Sequence, residues 1–372
     1  MFSFSLQRLS YIIILCIGIS SVGFAQSPAL QGWETNTDKA LIELDELKRG
    51  GPPKDGIPSI DEPEFISPSE AESWISNQEP VIAVEYKGEA RAYPLQILIW
   101  HEIVNDRIAG DPLLVTFCPL CYSALVFDRT VEGETLEFGV SGFLRHSDLV
   151  MFDRKTETLW QQFTGKAIVG DYVGTTLEQI PSQIISFNQF RESYSNGTVL
   201  SRNTGYNRNY GANPYTGYDD INNTPYFGAG NEDDRLPPME KVIGVKVGDK
   251  TKGYPYSVSE KEGVIHDTVN GTALVVFHVS GAKSAMDAGT ISESREAGST
   301  GVFKRKVDGQ VLTFELDSGT IVDRQTGSSW SVTGKALEGP MKGQQLEPLK
   351  SGDYFAFAWT VFWPETELYS IK

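Results

Sequence analysis

Cysteine is scarce in this sequence: three residues, Cys16, Cys118 and Cys121. Histidine is almost as rare, with four. So few sulfurs exclude the disulfide framework of a small secreted scaffold. Basic residues are short too, 32 Lys and Arg against 49 Asp and Glu, for a formal charge of −17. That deficit excludes nucleic acid as a partner, because phosphate binding needs concentrated Lys and Arg. An acidic chain is compatible with attracting cations but names none. No long apolar run follows the first 25 residues, so no membrane-spanning helix is expected after them. Phosphate loops, a dinucleotide fingerprint and a Ser-His-Asp arrangement in recognisable context are absent, and no nucleotide cofactor is expected.

What is present begins with Arg8, the one charge ahead of an apolar run from Tyr11 to Ile19. Small residues follow, ending in Gly23-Phe24-Ala25-Gln26. That layout predicts a secretory signal peptide over 1–25 and a periplasmic or extracellular protein. The run is shorter than the about 20 residues a spanning helix needs, so cleavage is preferred to an uncleaved anchor. Losing Cys16 leaves Cys118 and Cys121 as the cysteines of the mature chain. A bridge between them closes a tiny loop, worth ~2 kcal/mol in the chain-entropy model. Metal or redox chemistry explains the pair better than stapling does.

After an irregular lead-in over 26–80, the sequence repeats itself. Ile82 through Tyr93-Pro94 matches Ile243 through Tyr254-Pro255. Val131 to Phe138 matches Val307 to Phe314. Asp153-Arg154, Thr156 and Trp160 recur in spacing as Asp323-Arg324, Thr326 and Trp330, each followed by Thr-Gly-Lys-Ala at Thr164 and Thr333. The expected fold is therefore mainly β with a few short helices (α+β). It consists of two diverged copies of one β-rich unit packed together, over 81–200 and 241–372, joined by a Tyr/Asn/Gly-rich ordered connector over 201–240. Short apolar or alternating runs between turn signals predict strands over 81–86, 90–94, 113–117, 123–128, 136–140 and 149–153. Helices are expected over 67–76, capped by Ser67 with Pro68 first, over 95–104 and over 187–194. Small and charged residues over 281–301 predict an exposed, mobile loop. The Asp-Arg-x-Thr-x-x-x-Trp element occurs in both copies, so it reads as architecture: a salt-bridged turn over a packed Trp. Asp219, Asp220, Asp233 and Asp234 read as solvated loop carboxylates, since calcium-loop spacing is missing.

The copies differ at one place. The strand ending at Phe117 runs into Cys118-Pro119-Leu120-Cys121, whereas the one ending at Phe277 runs into His278. Chemistry is thus expected in the first copy, and His278 is read in the place of Cys118. Two thiolates in a proline-shaped turn can hold copper or zinc. They can also cycle between dithiol and disulfide, but a strand follows them rather than a thiol-activating helix N-terminus. His101, one turn away at a helix end, is the natural third ligand, giving a metal site of Cys118, Cys121 and His101. Met151 and His146 are the weaker candidates for a fourth, reading respectively as core and surface residues, and His266 reads as a turn residue.

The run from His101 to Asp106, Phe117 through Cys121, Phe138 to Gly142, and Met151 to Arg154 with Trp160 resembles the bacterial family called domain of unknown function 3179. The lead-in from Gly50 to Ile57 is similar to it as well. The resemblance covers nearly all of the mature chain. It implies an exported or envelope-associated protein and supplies no reaction. Three functions remain open: a soft-metal protein in metal handling or a metalloenzyme, a thiol–disulfide protein, and a non-catalytic binding module.

Overall fold

The computed structural model describes residues 30–226 and 233–370; the expected signal peptide lies outside them. The fold is mainly β, with short helices. Pro80–Tyr86 and Glu89–Pro94 form a hairpin turning at Lys87 and Gly88. The helix Leu95–His101 follows, and a second hairpin, Ile103–Ile108 with Asp111–Cys118, pairs on with Ser123–Asp128. A meander of Phe138–Arg145, Asp148–Asp153, Leu159–Gln161 and Lys166–Val169 completes the first half, with Gln183–Ser186 and Thr198–Leu200 returning to the first hairpin.

The same order recurs after residue 240. Lys241–Val247 pairs with Lys250–Pro255, the helix Tyr256–Glu262 follows, and Val264–Val269, Thr272–Val279 and Ser299–Lys304 make the next sheet. Phe314–Asp317 to Ala336–Glu338 form the meander. Each first hairpin gains an antiparallel strand on one side, Gln183–Ser186 or Ser351–Phe355, and a short parallel one on the other.

The helix expected over 95–104 stops at His101. Ile103 and Val104, both β-branched, pair with Thr116 and Val115 instead. Ser67 does cap a helix beginning at Pro68, in a capping box with Glu70, but that helix is only Pro68–Ala71.

The two halves share their interior. Ala356–Phe362 buries Ala356, Phe357, Ala358 and Trp359 in the same core as Phe117, Trp160 and Phe163. Phe163 stacks on Phe362 with centroids 4.5 Å apart. Gly244 permits the approach of this helix, since a Cβ there would lie 2.3 Å from the Trp359 ring. The segment 281–301 is not an exposed loop. Ala285 and Met286 are fully buried in that shared core and Ile291 is buried too. Its few apolar residues act as anchors because the connector packs over them, Asn213 bonding Gly289 and Gly217 bonding Asp287 through the backbone.

The repeated Asp/Trp element is architectural, but its Asp is not salt-bridged to the neighbouring Arg. Asp153 accepts from the Trp160 indole at 3.0 Å and from the Thr156 N–H at 2.7 Å. Asp323 does the same with Trp330 and Thr326. Arg154 instead pairs with Asp61, and Arg324 with Glu315.

Candidate metal centre

Cys118 ends its strand opposite Ser123, and Pro119 and Leu120 turn the chain. The turn closes when the Tyr122 N–H donates to the Pro119 carbonyl at 3.2 Å, with Tyr122 left-handed at φ 57°. Gln162 clamps the base of the turn, accepting from the Ser123 hydroxyl at 2.7 Å and donating to Thr116 at 2.8 Å. The second half covers it: the Phe355 N–H donates to the Cys121 carbonyl at 2.9 Å. From the connector, the Tyr218 hydroxyl donates to the Leu120 carbonyl at 3.2 Å. Both cysteines are free and buried.

The third group is Asp148. His146 and Ser147 both have positive φ, 53° and 61°, which makes a tight reversal between Arg145 and Asp148. This delivers the fully buried Asp148 to the thiols. The two Sγ atoms and a carboxylate oxygen lie within 4.8 Å of one another. Asp148 Oδ2 accepts from Gln161 at 2.5 Å and from the Phe163 N–H at 3.0 Å. Oδ1, also buried, has no hydrogen-bond partner among the described residues.

Electrostatics oppose negative charge here. Burial pushes the Asp148 carboxyl up to about 7 against the pull of Gln161, the Phe163 N–H and the two adjacent thiols. Burial, and then the charge of Asp148, push Glu102 up to about 8. Cys118 is raised by burial, with Asp148 and Glu102 adding to it. Cys121 is raised further, by burial and then by Cys118 and Asp148. A bound cation reverses each of these tendencies. The residues therefore fit a metal better than they fit an empty pocket.

His101 is not in this group. Its Nδ1 lies 2.7 Å from the Pro58 carbonyl and its Nε2 2.6 Å from the Tyr210 hydroxyl. A carbonyl only accepts, so Nδ1 carries the proton and Nε2 accepts from Tyr210. No lone pair is left for a metal, and burial lowers the pKa of the ring, favouring the neutral form. His101 tethers the lead-in and the connector to the helix end. Met151 is core, as expected, and His146 is half-buried beside Phe362. His266 lies in a strand rather than a turn and accepts from the Phe314 N–H at 2.9 Å. His278 bonds Ser259 at 2.8 Å and packs on Tyr256. Register matches it to Phe117 rather than Cys118, because both donate their N–H to the residue that follows the helix, Gly263 or Glu102.

Nor are the connector carboxylates all solvated. Asp219 is buried and paired with Arg295 at 2.7 Å and Lys241 at 3.4 Å, while Asp233 pairs with Arg235. Asp219, Lys241, Tyr256 and Arg295 line an open cleft of about 560 Å³. Lys241 also lies 3.8 Å from the centroid of the Tyr122 ring, next to the Cys turn.

Asp148 carried no distinguishing sequence signal, since an acid beside a turn is ordinary. No helix among the described residues is long and apolar enough to cross a membrane. No curated protein and no solved structure matches the chain. The family described as protein of unknown function, DUF3179, matches residues 54–366, which is most of the sequence, and the chain belongs to that family.

Proposed function

We propose that this protein, after export, holds one transition-metal ion between Cys118, Cys121 and Asp148. The observation that carries the reading is the convergence of two thiols and a carboxylate within 4.8 Å in a buried setting where Asp148 Oδ1 has no partner. The donor set ranks the metals. Thiolates suit both zinc and Cu(I), but a carboxylate oxygen is an ordinary zinc ligand and a poor one for Cu(I). Zinc therefore comes before copper. Export rests on the layout of residues 1–25.

The two halves are best read as diverged copies of one unit, from the recurrence of strand order and pairing. By register, Gly263 then stands for Glu102 and Val279 for Cys118. The second copy keeps the framework without the metal-binding groups, so the fold does not need them. Superposing 82–200 on 241–368 tests the duplication, and unrelated strand paths would remove it.

For the metal, the full mature chain purified from the periplasm without chelating resins should carry zinc or copper by mass spectrometry, one ion per chain. The Cys118→Ser, Cys121→Ser double variant should carry none. A double variant that binds zinc as tightly as wild type would falsify the site. A thiol–disulfide couple is the second reading, and Asp148 favours it as a base beside both thiols. Against it, burial raises both thiol pKa values, and the strand Ser123–Asp128 follows where an activating helix is needed.

A further inference from the structure

We infer that Gln161 is a positioning residue that makes the centre select zinc over Cu(I), by holding Asp148 so that one carboxylate oxygen, Oδ1, is left to the ion. This deepens the metal reading above and rests on it. Register brings the pair together. Gln161 lies opposite Val150 on the neighbouring strand. Alternate residues of a strand share a face, so Gln161 is the diagonal same-face neighbour of Asp148. Both side chains are buried.

The Gln161 amide donates to Asp148 Oδ2 at 2.5 Å, and the Phe163 N–H donates to the same oxygen at 3.0 Å. Two donors fix Oδ2, while the buried Oδ1 has no hydrogen-bond partner. A carboxylate held in this way offers an ion one oxygen, which suits four-coordinate zinc. Arg145 sets the direction of the amide. Its Nη1 lies 3.5 Å from Gln161 Oε1, and Arg145 is itself paired with Glu46 at 2.8 Å. A guanidinium only donates, so Oε1 turns to Arg145 and the NH2 group to Asp148.

The second half shows that the fold does not need this pair. Ile321 is opposite Trp330 as Met151 is opposite Trp160. Counted along the strands from those pairs, Ser318 stands for Asp148 and Ser331 for Gln161. Ser318 is exposed in a turn, because that hairpin closes earlier, at Asp317 and Thr320. Ser331 bonds Thr333 within its own turn at 2.7 Å. Acid and amide are thus replaced together where the cysteines are missing, and the Trp framework is kept. Thiolates alone satisfy Cu(I), whereas zinc also takes a carboxylate oxygen. Releasing Asp148 from Gln161 therefore costs zinc and spares Cu(I).

The test compares the full mature chain with Gln161→Met, which keeps the length of the side chain without its amide. Zinc and Cu(I) affinities are each read by competition with a chromophoric chelator. Gln161→Met should weaken zinc binding roughly 10–100-fold, the loss expected of an outer-sphere partner, and leave Cu(I) affinity unchanged. Made in an Asp148→Asn background, the same substitution should cost zinc nothing further, because it acts through Asp148. Equal losses for zinc and Cu(I), or a full loss of zinc affinity from Gln161→Met in the Asp148→Asn background, would make Gln161 a support of the fold alone and overturn the assignment. So would a Gln161→Met variant that binds zinc as wild type does. If wild type takes up neither metal, or if Asp148→Asn binds zinc as tightly as wild type, it is the metal reading itself that fails.

Discussion

Zinc binding to the metal-free protein should expel more protons than an ordinary site does, and the number follows from the structure. At pH 7 both thiols are protonated, since burial raises them above their ordinary value of 9.0. Asp148, pushed up to about 7, is about half protonated. Metal ligands must bind deprotonated. The thiols therefore release about two protons and Asp148 about 0.5, roughly 2.5 together. Carboxylates with ordinary pKa values would hold the total at about two. Titration calorimetry at pH 7 in buffers of different ionisation enthalpy reads the number as a slope. Release should climb toward about three at pH 5 and fall toward about two as pH rises through 7. Asp148→Asn should lower the pH 7 value by about a half. A flat release of about two between pH 6 and 8 would refute the reasoning, because Asp148 would then not be changing its proton on binding.

Other measurements probe the rest of the molecule. His101→Ala should leave zinc stoichiometry unchanged while costing roughly 1–3 kcal/mol in urea unfolding, from the abandoned Pro58 carbonyl and Tyr210 hydroxyl; loss of the metal instead would restore the histidine as a ligand. Burial first, and Lys241 among its neighbours, depress His278 to about 4, so it stays neutral in the fold and protonates more readily when unfolded. Its contribution is therefore present above about pH 6.5 and lost as pH falls toward 4, on the order of 3 kcal/mol. The stability difference between wild type and His278→Gln should change over that window, and parallel curves would contradict the assignment. Met286→Ala should destabilise by roughly 2–5 kcal/mol, as expected for a packed core side chain; a negligible change would return the segment 281–301 to the surface.

Local features were legible in the sequence because their causes are local. A short apolar run between two polar residues marks Ser123–Asp128 to the residue. Tyr-Lys-Gly marks the first hairpin turn, and Ser67-Pro68 marks a helix start. The strand running into Cys118 is visible for the same reason. Helix length was less so. Residues 95–104 are apolar on most faces, and only pairing with Val115 and Thr116 decides that the last of them are strand.

The chain by itself determined a mainly β protein, a recurring order of elements, and a Cys pair in a turn at the end of a strand. These depend on period, turn residues and cysteine count, all of which act over a few positions. Which donors meet the thiols was decided by the tertiary structure alone. His101 is close to the cysteines in sequence, yet it is claimed by Pro58 and Tyr210, 43 and 109 residues away. Asp148 arrives from a separate hairpin. Side-chain convergence is a property of long-range packing, where one left-handed residue or one tyrosine hydroxyl redirects a ligand, and no spacing along the chain encodes that.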